Sequence, residues 1–448
     1  MERFFVLIVI SFGMYFIANM LPESFAVTGA GSVLSFGFMI LAAYLLAGVL
    51  ARIKLPRITG YILAGMLFGP SLLGFLSPEV LSELKLVDDL ALTFIAFAAG
   101  GELRMAMLKR RFRSIVLTLV CLVVVVLVGV TTSILLLRSV FPFTIGLPFV
   151  QALGVAAICG ALAVARSPSS AIAIISETKA RGPFTEMVLG VTVAADVLTI
   201  FIFAIILSFS QLAVSGQAID LTFLLGMGGE VVASLVSGVI LGYLISLLLA
   251  RTGSELTVLI LGLAFLVTKF SQGLASFLDS EFGVHFHLEP MLLCMTAGFV
   301  VQNMTRRGDL FLRVIDRSSL PIYVIFFAIS GASLKIEALE TMWPWALLLV
   351  GLRAVFVYSA TYLGGRLSSD PKEFQKASGL GFLTQAGVSL GLAKLVAERF
   401  PDFGPELATL LVATIAINQV IGPVGFKYAL SMVAETKEAR LAKRLKQT

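Results

Sequence analysis

The sequence has 448 residues, of which 58% are hydrophobic and 13% charged, with a formal net charge of +6 at pH 7. That is far more apolar surface than one soluble core of this length can bury, which excludes a soluble enzyme or binding domain. The cysteines, Cys121, Cys159 and Cys294, all fall inside apolar stretches at spacings that suit no metal site, and read as small core residues.

The apolar residues come in blocks. In chain order, runs lie near 3–20, 28–51, 57–76, 87–103, 114–137, 148–176, 183–209, 221–250, 256–276, 288–302, 319–336, 343–363, 376–397 and 404–432. Most approach or exceed the roughly 20 residues a helix needs to cross a bilayer. The expected fold is therefore an all-α polytopic membrane protein with about 13–14 transmembrane helices. Residues 1–27 read as an extra N-terminal helix or a signal segment. The absence of a clear small-residue cleavage site after "FFVLIVISFGMYFIANM" and its length favour the helix. Residues 28–432 form the membrane domain and 433–448 a basic cytoplasmic tail.

Loop charge gives an orientation. With the N-terminus cytoplasmic and every run spanning, the cytoplasmic connections carry Arg52, Lys54 and Arg57, then Lys109, Arg110, Arg111 and Arg113, then Arg306, Arg307, Arg313 and Arg317, with further Lys and Arg in the remaining ones and the tail. The opposite loops hold Lys85, Arg138, Lys335, Lys394 and Arg399. This asymmetry follows the positive-inside rule and places the C-terminus in the cytoplasm of a cell (inner) membrane protein.

No run is long enough between the spans for a nucleotide-binding domain. "GAGSVLSFG" (29–37) opens a membrane run with no strand before it, and no Gly-x-x-x-x-Gly-Lys-Ser/Thr occurs, so the sequence argues against ATP-driven pumping and no cofactor is expected. Transport would be gradient-driven or passive, and the residues to examine are charges at membrane depth.

Asp196 stands alone in "GVTVAADVLTIFIFAI" (190–205), a run without a basic residue. A carboxylate there can trade a proton for a metal cation, since both compete for the same oxygens; the alternative is a structural carboxylate locked to a basic partner. Arg353, central in "ALLLVGLRAVFVYSATYLGG", stays charged and cannot shuttle protons, which leaves it to shape the field or to hold unwound backbone carbonyls. Glu230 and Lys269, in neighbouring runs, read as a mutually neutralising pair. Glu102 and Arg166 lie nearer the edges of their runs, and Glu102 reads as an interfacial residue supporting the core. His285 and His287, beside Glu289 in "HFHLEP", read as an ordinary outer loop.

The run before Asp196 is interrupted. "ALAVARSPSSAIAIIS" (161–176) puts Ser167, Pro168, Ser169 and Ser170 at membrane depth. Proline removes a backbone donor and frees a carbonyl, which is tolerated there only where it is enclosed by protein or lines a cavity. "ASGLGFLTQAGVSLGLAK" (377–394) is similarly irregular around Thr384 and Gln385, and Asn418 comes next in "ATIAINQVIGP". The trio 114–137, 148–176, 183–209 is thus echoed by 343–363, 376–397, 404–432, seven runs later. An odd offset inverts the second trio relative to the first, and inverted repeats with discontinuous helices place an ion site at their interface.

"LPRITGYILAGMLFGPSLLGFL" (55–76), "ALTFIAFAAGGEL" (91–103), the Pro/Ser-broken helix followed by Asp196, "FFAISGASLKIEAL" (326–339) and Arg353 together resemble the monovalent cation:proton antiporter superfamily. The similarity, over about 30–430, is to its second cation:proton antiporter family, which includes Kef-type potassium/proton and related sodium/proton antiporters. The resemblance implies a homodimer with a dimerisation scaffold and a core, here 87–209 and 319–432, in which two discontinuous helices cross. It implies that Asp196 binds cation and proton alternately, supported by Ser167, Ser169, Ser170, Thr192, Arg353, Gln385 and Asn418. Two departures stand out: Ala195 precedes the aspartate where many members have an acidic, Asn or Gln residue, and "QAGVSL" replaces a Gly-Glu-Phe found in many Kef-type members. The implied partners are a monovalent cation (Na+ or K+), protons and the lipid bilayer, without nucleic acid. A sodium-coupled symporter of an organic anion, with Arg353 meeting the carboxylate, is the alternative, and a passive channel the third reading.

Overall fold

A computed structural model of the chain describes residues 2–20, 29–215, 221–251, 256–282, 286–334, 336–385, 388–400 and 402–445. His285, Ala386 and Gly387 lie outside them. The regular structure is helical. In chain order the helices are α1 (Glu2–Met20), α2 (Gly29–Arg52), α3 (Arg57–Phe68), α4 (Pro78–Glu83), α5 (Lys85–Glu102) and α6 (Met105–Leu136). They continue with α7 (Phe149–Val164), α8 (Pro168–Thr178), α9 (Pro183–Ser215), α10 (Leu221–Arg251), α11 (Leu256–Phe282) and α12 (Pro290–Met304). The last six are α13 (Gly308–Ala332), α14 (Ile336–Leu367), α15 (Lys372–Gly381), α16 (Val388–Arg399), α17 (Gly404–Met432) and α18 (Lys437–Leu445).

Every apolar run of the sequence contains helix, and 8 helical stretches among the described residues are long and apolar enough to cross a membrane. The rest are short, charged at one end or broken. The run 57–76 stays helical only to Phe68, because Gly69 turns extended (φ −71, ψ 179) ahead of Pro70. α13 starts well before its run, at Gly308: "GDLFLRVIDRSS" is amphipathic, burying Phe311, Val314 and Ile315 while Arg313, Asp316 and Arg317 stay exposed. Residues expected in a basic connection are therefore helical.

Two packed groups emerge. In one, α14 lies along α6, α7 sits between α6 and α9, and α17 packs on α14, α15 and α16, so the two trios join face to face. In the other, α3 packs on α2 and α13, and α12 packs on α5 and α10. By packing, α5 and α13 lie with this second group.

Backbone contact holds the second group together. A Cβ at Gly65 of α3 would overlap the Ala328 carbonyl oxygen of α13, and one at Gly331 of α13 would overlap that of Ile62. Gly100 and Gly298 repeat the arrangement between α5 and α12, where a Cβ would meet the carbonyl oxygens of Met295 and Phe97. Without a hydrophobic drive between helices in lipid, such close approach is what associates them. It also explains why "ITGYILAGMLF", "AFAAGGEL" and "FFAISGASL" carry glycine.

The segment after α17 is tied down. Glu435, 6% exposed, caps the N-terminus of α9: Oε1 accepts from the Phe184 N–H at 2.8 Å, and Oε2 accepts from the Thr185 N–H and hydroxyl, each at 2.7 Å. The Arg181 N–H donates to the Glu435 carbonyl at 3.1 Å, and Arg440 Nη2 donates to the Lys179 carbonyl at 2.7 Å. A carboxylate is favoured there because the first N–H groups of a helix have no partner within it and carry partial positive charge. Glu435→Ala should lower stability by about 1–3 kcal/mol, read as a reduced unfolding temperature of the purified protein. An unchanged temperature would mean α9 keeps its start without the clasp.

Candidate functional site

The first discontinuity follows from its residues. α7 ends at Val164, Ala165 is extended (φ −58, ψ 142), and Ser167 is extended (φ −113, ψ 100), as a residue before proline must be. Pro168 then opens α8, where a missing N–H costs nothing. Ser167 caps α8 by accepting from the Ser170 N–H at 3.2 Å. Its hydroxyl donates to Ser170 Oγ at 2.9 Å and lies 3.1 Å from Ser169 Oγ. The three hydroxyls form one buried cluster.

The break leaves carbonyls of the α7 end without helical partners, and side chains from distant helices take them. Arg353 of α14 reaches three oxygens: Nε donates to Ala163 O at 3.1 Å, Nη2 to Ala165 O at 3.0 Å and Nη1 to Leu383 O at 2.8 Å. Leu383 lies just past α15, at the second discontinuity, so one guanidinium joins both breaks. Gln385 Nε2 donates to Leu162 O at 2.9 Å, and its Oε1 accepts from Asn418 Nδ2 of α17 at 3.0 Å. Arg353 therefore holds unwound carbonyls, one of the two roles open to it from sequence.

Arg166 joins them from within the break. Its Nη1 donates to Ala163 O at 2.8 Å and Ala165 O at 2.9 Å, while Nε and Nη2 have no hydrogen-bond partner among the described residues. The sequence suggested an edge position. It is 1% exposed, because the helix stops immediately before it and folds its side chain back on the last turn. Its place directly before Ser-Pro was the available signal.

Asp196 of α9 is 6% exposed, and its Oδ1 is buried without a hydrogen-bond partner among the described residues. Thr192, one turn earlier on the same helix, is buried as well. The structure thus gathers Arg353, Gln385 and Asn418 into one network, ties Ser167, Ser169 and Ser170 into another, and leaves Asp196 outside both. A buried carboxylate oxygen without a donor is suited to a proton or a desolvated cation.

Other charges find different surroundings. Glu230 Oε1 accepts from the His287 N–H at 2.8 Å, and the Glu289 N–H donates to Ser234 Oγ at 2.9 Å, so the stretch before α12 folds over α10. Lys269 is exposed on α11, and no ion pair among the described residues joins it to Glu230. The expected pair is not formed, because a backbone donor takes the carboxylate. Glu102 lines a cavity of about 330 Å³ with Arg104, Arg181, Glu186, Asp309 and Asp316, on the side of the basic connections.

The described residues thus form a polytopic helical fold in which two discontinuous helices are bound together through side chains and α9 carries a buried acid. Residues 37–431 match the family described as sodium/hydrogen exchanger, transmembrane, and the chain belongs to that family. It is 29% identical over 143 residues to the Na(+)/H(+) antiporter NhaS5 of Synechocystis sp., covering 29% of this chain and 20% of that protein. It is 25% identical over 380 residues to cation/H(+) antiporter 19 of Arabidopsis thaliana, covering 81% of this chain and 44% of that one. The chain thus spans less than half the length of these two relatives. In fold it resembles the sodium proton antiporter MjNhaP1 from Methanocaldococcus jannaschii, with a TM-score of 0.61 and 20% identity over 92% of this chain and 97% of that one.

Arg353→Lys should cost about 2–4 kcal/mol of stability, because an ammonium keeps the charge but cannot reach three carbonyls in a fixed fork. Thermal unfolding of the purified variant checks this; an unchanged midpoint would show that the bridge does not hold the breaks.

Proposed function

We propose that the chain exchanges a monovalent cation, Na+ or K+, for a proton by alternating access, with Asp196 binding each in turn. The carrying observation is the unpartnered, buried Oδ1 of Asp196 in a core where Arg353, Gln385 and Asn418 already satisfy the exposed carbonyls. Family membership and the antiporters named among the relatives support the same reading. Thr192, one turn before Asp196 on α9, and the buried hydroxyls of Ser167, Ser169 and Ser170 at the break are the oxygens assigned here to support the cation.

The chemistry follows from charge. Arg166 and Arg353 stay charged and carry no proton in the cycle, while proton and cation compete for the same Asp196 oxygens. A cation enters only once the proton has left. Proton and cation therefore exclude each other without a second titrating group. Ala195, beside the aspartate, offers none. This favours one-for-one, electroneutral exchange. The alternative of organic-anion symport through Arg353 is disfavoured, since Nε, Nη1 and Nη2 are all engaged by carbonyls. The protein acts as a homodimer in the cell membrane with its C-terminus in the cytoplasm, a reading that rests on the family resemblance and the basic connections.

Asp196→Asn should fold normally and abolish cation-driven proton movement in reconstituted vesicles, since an amide can ligate a cation but cannot release a proton; retained exchange would end this mechanism. Ser169 and Ser170 replaced together by Ala should weaken apparent cation affinity about 3–10-fold with a smaller effect on maximal rate, the loss expected for one ligand contact. Sustained transport currents on a solid-supported membrane would contradict one-for-one stoichiometry.

A further inference from the structure

Between α6 and α9 on one side and α10 and α12 on the other lies a groove of about 1000 Å³. Val193, Ala194 and Val197 of α9 face Leu235 and Val239 of α10 across it. The polar side chains that reach its wall are Thr296 and Lys109. Thr296 is satisfied within its own helix, donating to Leu292 O at 2.8 Å. Phe112 and Val239, 65% and 37% exposed, lie along the groove, so it opens sideways between the helices rather than being enclosed.

In a membrane-spanning chain such an opening faces hydrocarbon. Space of this size left empty would deprive its lining of contact atoms, and water has no polar partners there to enter it. Lys109 stands at the end where α6 begins and where the basic connections gather. It forms no ion pair among the described residues, and Arg110, next in the chain, is also exposed. No acidic residue lines the groove.

We propose that this groove is a binding site for one anionic phospholipid, its acyl chain lying between α9 and α10 and its phosphate on Lys109. The charge complement selects an anionic headgroup over a zwitterionic one. The groove wall includes the residues on either side of Asp196 in α9, so the lipid is the packing partner of the helix that carries the carboxylate. Its removal or replacement alters how α9 moves against α10. Binding itself does not depend on the transport reading.

The test is native mass spectrometry of the delipidated full-length protein titrated with phosphatidylglycerol or phosphatidylcholine. Phosphatidylglycerol should be retained at about fivefold lower concentration, the factor that roughly 1 kcal/mol per basic residue at a membrane surface supplies. Lys109→Gln should remove this preference while leaving phosphatidylcholine retention unchanged. Val239→Trp, which fills the groove, should reduce retention of both. Equal retention of the two lipids by the unaltered protein, a preference that survives Lys109→Gln, or retention indifferent to Val239→Trp would each overturn the proposal.

Discussion

The arrangement depends on the guanidinium of Arg353. Two helices that stop inside a membrane protein leave carbonyls that water cannot reach, and each unsatisfied one costs several kcal/mol. A planar fork of donors is the side chain able to serve several carbonyls at once. Arg353 reaches Ala163 O, Ala165 O and Leu383 O, oxygens from two discontinuities far apart in sequence. α14 is thereby pinned against both breaks, and the two trios are held at one crossing.

The same bond network separates structural polar groups from functional ones. Gln385 and Asn418 form a relay to Leu162 O, and Ser167 caps α8, so the obvious ligands of the break are largely committed to backbone and to one another. The partial negative ends of α7 and α15 compensate the buried guanidiniums, much as basic side chains stabilise any helix C-terminus. Among the described residues around the breaks, Nε and Nη2 of Arg166 and Oδ1 of Asp196 are left without a hydrogen-bond partner. In the proposed exchange the buried carboxylate oxygen is the driving feature, because a proton or a cation relieves it.

Seams of different tightness divide the molecule. Gly65 with Gly331 and Gly100 with Gly298 bring backbones into contact within the second group of helices. The first group has its own close seam, where Gly129 meets Phe356 and Gly364 meets Thr118 between α6 and α14. Between the groups, α9 and α10 are separated by the apolar groove rather than by glycine contacts. In the proposed exchange, two groups of helices joined by this seam would supply the relative motion of alternating access, with α9, whose start Glu435 fixes, belonging to the first group.

Features that local chemistry dictates are legible in the chain alone. Long apolar runs dictate membrane helices, Pro168 among serines dictates a break, an isolated aspartate marks a carboxylate that chemistry must account for, and the echoed trios predict inversion. Arg353 belongs here in part: a permanent cation at that depth had two roles open to it, shaping the field or holding unwound carbonyls, and the hydrogen bonds show the second. The choice of partners came from the packing of distant segments. Arg353 meets Ala163 across 190 positions, Glu435 meets Phe184 across 251, and Glu230 turns to the His287 N–H instead of Lys269. The starts of α6 and α13, the burial of Arg166 and the groove beside α9 likewise depend on how helices lie against each other. A side chain's own properties state what it must bond to, but which donor or acceptor arrives is set by contacts between segments that no local pattern records.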